Sequence, residues 1–127
     1  MVIIKEAMKT RKFNKSDVLK HPILYHYTRK EFAKNILKHD YFRTSPGTIG
    51  IMGLSTTFNK NYKWGAAEVC FELDSKKLFE DYKLIFVDEQ LSTKNGKLNE
   101  YEVKVLCDKA ILNASKYIIK VEYQWLL

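Results

Sequence analysis

Three short stretches hold the side chains best suited to chemistry: Leu24-Tyr25-His26-Tyr27-Thr28, Gly53-Leu54-Ser55-Thr56-Thr57 and Glu100-Tyr101-Glu102. An imidazole can donate or accept a hydrogen bond and can exchange a proton near neutral pH. Hydroxyls in a row can hold a substrate or orient a neighbouring carboxylate. Residues two apart on a regular strand face the same side, so Glu100 and Glu102 can reach one site while Val103 and Val105 pack on the opposite, core face. Other chemistries find no support in the sequence. There is no GxGxxG, no phosphate-loop pattern and no HExxH. His21, His26 and His39 are too dispersed to suggest zinc ligands, and two cysteines without a histidine cluster do not make a metal site.

Elements must place these stretches. Residues 2–10 read as a short amphipathic helix, with Ile3, Ile4, Ala7 and Met8 on one side. A second helical piece runs from Ser16, as N-cap, to Lys20. Pro22 ends it by biasing His21 toward extended backbone, and Ile23 to Tyr27 form the first core strand. Thr28 and Glu31 have the spacing of a capping box, and Phe32, Ala33, Ile36 and Leu37 mark the buried face of a helix ending near His39 or Asp40. A short strand follows at 41–44, then a loop bracketed by Ser45-Pro46-Gly47 and Gly50 to Gly53. Further strands are expected at 54–57, at 67–73 with a half-buried alternation, at 82–87, at 100–106 and at 117–123. A short helix or turn is expected at 75–79, and a short segment at 110–115 precedes the last strand. With helices mainly in the first half and five to seven mostly antiparallel strands, the class is α+β.

Composition sets the outer bounds. The chain has 127 residues, 46% hydrophobic and 29% charged, which suits one folded domain with one core. Five Gly and two Pro leave little for a flexible linker, so residues 1–127 are expected to form a single domain with 1–21 as a helical extension. No apolar run is long enough for a transmembrane helix, and Lys5, Glu6 and Lys9 interrupt the apolar start too early for a signal-peptide core. A cytoplasmic location is the expectation. Cys70 and Cys107 fit it as small buried hydrophobes within strands, unbridged. The net charge of +7 is uneven: residues 1–63 carry 13 Lys/Arg against 4 Asp/Glu, and residues 64–127 carry 9 against 11. Such a basic half suits an acidic partner such as nucleic acid, or simply keeps the chain soluble.

Taken in order on successive strands, the three stretches resemble the ADP-ribosyltransferase superfamily, over roughly residues 23–123. His26 matches the residue that ends the family's first core strand, with Thr28 opening the following helix. Ser55, Thr56 and Thr57 match the second motif strand, and Glu102 the catalytic glutamate, with Glu100 as the outer member of the pair. The resemblance implies a split, two-sheet core and transfer of ADP-ribose from NAD, as a substrate, to a protein or nucleic-acid acceptor, without a metal. It implies that Glu102 stabilises the oxocarbenium-like charge formed when the nicotinamide–ribose bond breaks, as in glycoside cleavage. It further implies that His26, flanked by Tyr27 and Thr28, holds a ribose of NAD. Ser55 then hydrogen-bonds Glu102, while Thr56 and Thr57 shape the nicotinamide pocket. Tyr62 is the ring expected to stack on nicotinamide, with Phe58 and Tyr41 behind it, and Arg43 the cation for the pyrophosphate. A histidine first motif beside a Ser-Thr-Thr second motif follows neither main branch of the family, so the acceptor class stays open. Bacterial toxins and phage-encoded host modifiers are the settings implied. RNA 2′-phosphotransferase chemistry uses the same fold, but the sequence lacks a matching Arg-His signature. The competing reading is a non-catalytic module that binds nucleic acid or protein through Lys5, Lys9, Arg11, Lys12 and Lys15.

Overall fold

Strands carry most of the chain. A computed structural model describes residues 9–47, 50–61, 67–88 and 102–124. In chain order the elements are β1 (Lys9–Lys12), α1 (Lys15–Lys20), β2 (Ile23–Thr28), α2 (Lys30–His39), β3 (Tyr41–Arg43), β4 (Gly53–Thr57) and β5 (Val69–Asp74). There follow α3 (Ser75–Asp81), β6 (Lys83–Asp88), β7 (Glu102–Leu106), β8 (Ala110–Leu112), a 3-10 turn (Ala114–Lys116) and β9 (Ile118–Tyr123). The described residues thus form a small α+β fold with three helices and antiparallel strands in two sheets. Among them no helix is long and apolar enough to cross a membrane.

The large sheet has seven strands in the order β1-β6-β7-β4-β2-β5-β9, and β3 pairs with β8 in a second, two-stranded sheet. Directly opposed residues in a ladder share a face, so the register sorts the side chains. Leu24, Leu54, Phe71, Leu73, Leu84, Val103 and Val105 lie on one face. They form a single buried cluster with Val18 of α1, Ala33 and Ile36 of α2, Leu78 of α3, Phe42 of β3 and Ile111 of β8. All three helices and the small sheet therefore cover the same face. The other face carries a polar row that includes Tyr25, Ser55, Thr57, Glu72, Glu102 and Lys104.

One joint in the large sheet is weak. β2 and β4 share a single register pair, Tyr25 with Thr57, whereas β2 pairs with β5, and β4 with β7, along their whole lengths. The sheet thereby divides into β1-β6-β7-β4 and β2-β5-β9, and the strands fork beyond Tyr25.

Several sequence expectations need correction. Lys9 and Thr10 are not helical: they belong to β1, whose register runs from Lys9 opposite Asp88 to Lys12 opposite Ile85. Pairing to an edge of the sheet supplies hydrogen bonds that overrule a weak local helix signal, and the next residue, Phe13, enters the core. Residues 1–8 lie outside the described residues. The following helix starts at Lys15, with Asn14 rather than Ser16 as its N-cap, and the Asn14 N–H donates to Asp17 Oδ2 at 2.7 Å. The capping box of Thr28 and Glu31 does not form. Thr28 stays in β2, where its carbonyl accepts from the Glu68 N–H at 2.9 Å, and Arg29 is the N-cap. Instead, Glu68 Oε1 accepts from the Lys30 N–H at 3.1 Å, so a residue remote in sequence serves the helix start. β5 is not half-buried: Val69 to Leu73 are all buried, because β2 and β9 flank the strand. The described strands number nine, not five to seven, while α3 falls where a short helix or turn was expected at 75–79. Cys70 and Cys107 are both free thiols; Cys107 sits just after β7 and is partly exposed.

Candidate functional site

β4 and β7 run side by side from Gly53 opposite Leu106 to Thr57 opposite Glu102. Their regular antiparallel ladder places Ser55 diagonally across from Glu102, and Ser55 Oγ donates to Glu102 Oε2 at 2.7 Å. That length is within the range of a charge-assisted hydroxyl–carboxylate bond. Glu102 is only 6% exposed. A carboxylate so enclosed needs fixed partners, and in low dielectric it attracts a nearby positive charge more strongly than it would in water. Val103 and Val105, on the alternate positions, are fully buried in the core as expected.

His26 sits where the sheet forks. Its Nδ1 lies 2.9 Å from the Ser55 carbonyl oxygen, taking up an acceptor on β4 that a closer β2 would have met with its own backbone. A carbonyl only accepts, so Nδ1 carries the proton, and the neutral ring keeps Nε2 as an acceptor. Burial lowers the His26 pKa, against a smaller opposing effect of the Ser55 bond, which favours that neutral form. The ring packs edge-on to Phe42 with centroids 5.7 Å apart. Ser55 thus joins two groups: its carbonyl meets His26 and its hydroxyl meets Glu102.

A cavity of about 310 Å³ opens beside His26, on the face covered by α2 and β3. Thr28, Asn35, Tyr41, Arg43 and Ser45 supply its polar lining, and Phe32, Ile36 and Phe42 its apolar wall. Its size is near the lower end for small-molecule sites, and its mixture of apolar wall and a few polar groups is typical of them.

Of the expected site residues, the structure brings Ser55 and Glu102 into direct contact, links His26 to Ser55, and gathers His26, Thr28, Arg43 and Tyr41 at the cavity. It does not bring Tyr27, Thr56, Thr57 or Phe58 to the cavity. The Thr56 hydroxyl donates to the Val103 carbonyl at 2.7 Å, and Thr57 Oγ1 accepts from the Asn59 N–H at 3.0 Å. Both threonines are fully buried and tie backbone to backbone. Phe58 stacks on His21 with centroids 4.1 Å apart and meets Phe86 edge-on, so it packs at the margin of the core. Tyr27 belongs to the polar row, and its hydroxyl donates to the Lys60 carbonyl. Burial raises the Tyr27 pKa and pushes the neighbouring Cys70 thiol up to about 11, so neither ionises near neutrality. Tyr62 and Glu100 lie outside the described residues.

Lys104 was not among the expected site residues. It is fully buried, on the same face as Glu102 and directly opposite Ser55. Period-two alternation from Glu102 marks it in the sequence, but a lysine between two valines reads as a solvent-facing residue. Asn35 and Ser45 of the cavity carried no sequence signal. Among the described residues no three His, Cys, Asp or Glu side chains are placed to hold a metal. In comparisons with known proteins, the chain matches no family model, no curated protein and no solved structure.

Proposed function

We propose that the protein cleaves NAD at its nicotinamide–ribose bond and transfers ADP-ribose to a macromolecular acceptor, protein or nucleic acid. The observation that carries this reading is the 2.7 Å bond from Ser55 Oγ to an enclosed Glu102, which Ser55 also joins to His26 at the fork between β2 and β4. As the C–N bond breaks, its electron pair leaves with nicotinamide and the sugar gains positive charge. Glu102, oriented through Oε2 by Ser55, stabilises that charge and accepts from a ribose hydroxyl. The acceptor nucleophile then bonds to the sugar carbon and its proton passes to solvent. His26 offers Nε2 to a ribose hydroxyl, Arg43 neutralises pyrophosphate, and Tyr41 supplies an aromatic wall. The division of the sheet at β2 and β4 supports a split two-sheet core of ADP-ribosyltransferase type. In this reading the cavity receives one end of the dinucleotide and the fork the other.

The test is nicotinamide release by the purified chain, with and without cell extract. Glu102→Gln keeps the shape of the side chain and is expected to slow release by about a thousandfold, the scale of losing a group aimed at transition-state charge. Absence of both release and NAD binding would sink the proposal and favour a basic binding module.

A further inference from the structure

Arg43 at the end of β3 and Thr44 and Ser45 in the loop after it wall the cavity, and the loop then reaches the face of the sheet that carries Lys104. There it meets Lys104, whose Nζ donates to the Pro46 carbonyl at 3.0 Å. The same carbonyl accepts from the Gly50 N–H at 3.0 Å. Ser45 and Gly53 exchange both backbone hydrogen bonds, at 3.0 and 3.1 Å, so the loop is sewn to the start of β4 as well. Two glycines clear the path of the lysine. A Cβ at Gly47, where φ is +60°, would lie 2.8 Å from Lys104 Nζ; one at Gly53 would lie 3.1 Å from its Cγ and 2.4 Å from the Val105 carbonyl oxygen. A buried ammonium is costly unless it is paired, so so complete a burial requires the loop carbonyl and the polar row around it.

From this geometry we infer that Lys104 is a positioning residue: it clamps the loop that walls the cavity onto the strand that carries Glu102, making cavity and carboxylate one rigid site. The inference rests on the proposed reaction for its functional consequence, but the clamp itself is a matter of structure.

The test has two arms. In the first, amide hydrogen exchange is measured without NAD in Lys104→Met, which keeps the length of the side chain and removes the charge. Exchange at Gly50 and Gly53 is expected to quicken by about tenfold while Val69 to Leu73 of β5 stay protected. Lys104→Gln, which removes the charge but keeps a polar end in the polar row, should do the same, and it serves if Lys104→Met fails to fold. Unchanged exchange in the loop, or a rise as large in β5, overturns the clamp. In the second arm, the KM for NAD is expected to rise about tenfold with kcat within about threefold of wild type. A kcat as low as that of Glu102→Gln with KM unaltered would overturn positioning and place Lys104 at the reacting bond. A wild-type chain that releases no nicotinamide defeats the transferase reading alone, because the exchange arm still decides the clamp.

Discussion

The two faces of the large sheet solve different problems at the same place. On the polar face the groups are already committed: Ser55 holds Glu102 at 2.7 Å, and Lys104 is bonded to the Pro46 carbonyl. On the covered face the cavity at His26 presents an exposed Arg43, with Asn35 and Tyr41, around open space. In the proposed reaction that difference has a physical sense. A group that stabilises transition-state charge works best when it needs no reorganisation, whereas groups that take up a flexible dinucleotide tolerate adjustment. His26 belongs to both regions, because its ring lines the cavity while its Nδ1 is fixed on the strand that holds Glu102 in place.

The contrast breaks most readily at Ser55. Ser55→Ala leaves the β4 backbone, and with it the His26 bond, in place but releases the carboxylate from its oriented position. Nicotinamide release is expected to fall by about a hundredfold, mainly in kcat, while stability drops by roughly 2 kcal/mol, the scale of one hydrogen bond to a charged group. Steady-state kinetics beside thermal unfolding separate the two effects. A variant as fast as wild type would show that the hydroxyl does not prepare Glu102 for the reaction.

Much of this arrangement was legible in the sequence. The alternation around Glu102 correctly put Val103 and Val105 in the core, and the bond from Ser55 to Glu102 follows once two motif strands are neighbours. The apolar spacing at Phe32, Ala33, Ile36 and Leu37 located α2, because a helical stripe is a local signal, but only Ala33 and Ile36 are buried, whereas Phe32 and Leu37 are about half exposed. What could not be read depends on residues far apart in the chain. Glu68 displaces Glu31 at the start of α2, and nothing near Thr28 announces it. Phe58 has aromatic character suited to a nucleotide pocket, yet its partners are His21 and Phe86, which only the tertiary fold supplies. The burial of Lys104 likewise depends on the loop that walls the cavity.

The histidine that joins the two faces also predicts a pH response. Burial holds the folded-state pKa of His26 below its ordinary 6.5. Between the two values the unfolded chain binds more protons than the folded one, so stability rises with pH through that window and is lost as pH falls below about 6.5. His21, also lowered chiefly by burial, adds to the same slope. Thermal unfolding followed from pH 7.5 down to about 5 should therefore show a falling midpoint. His26→Asn, which keeps a donor toward the Ser55 carbonyl but cannot titrate, should flatten part of that slope. An identical slope in the variant would mean that His26 is not held neutral at the fork.

The smallest effect is expected one residue from Ser55. Thr56 is next to Ser55 and carries the same functional group, but alternation turns it to the covered face, where its hydroxyl meets the Val103 carbonyl at 2.7 Å. Thr56→Val preserves the shape and removes that single bond. The expected cost is about 1 kcal/mol, a drop of a few degrees in unfolding midpoint, with nicotinamide release within about twofold of wild type. Release lowered as far as in Ser55→Ala would show that the hydroxyl of Thr56 also serves the reaction, and that the strand does not divide its duties by face. Equal stability and equal activity would show that the buried hydroxyl contributes nothing net to either. A stability loss alone is the outcome that keeps support on one side of β4 and chemistry on the other.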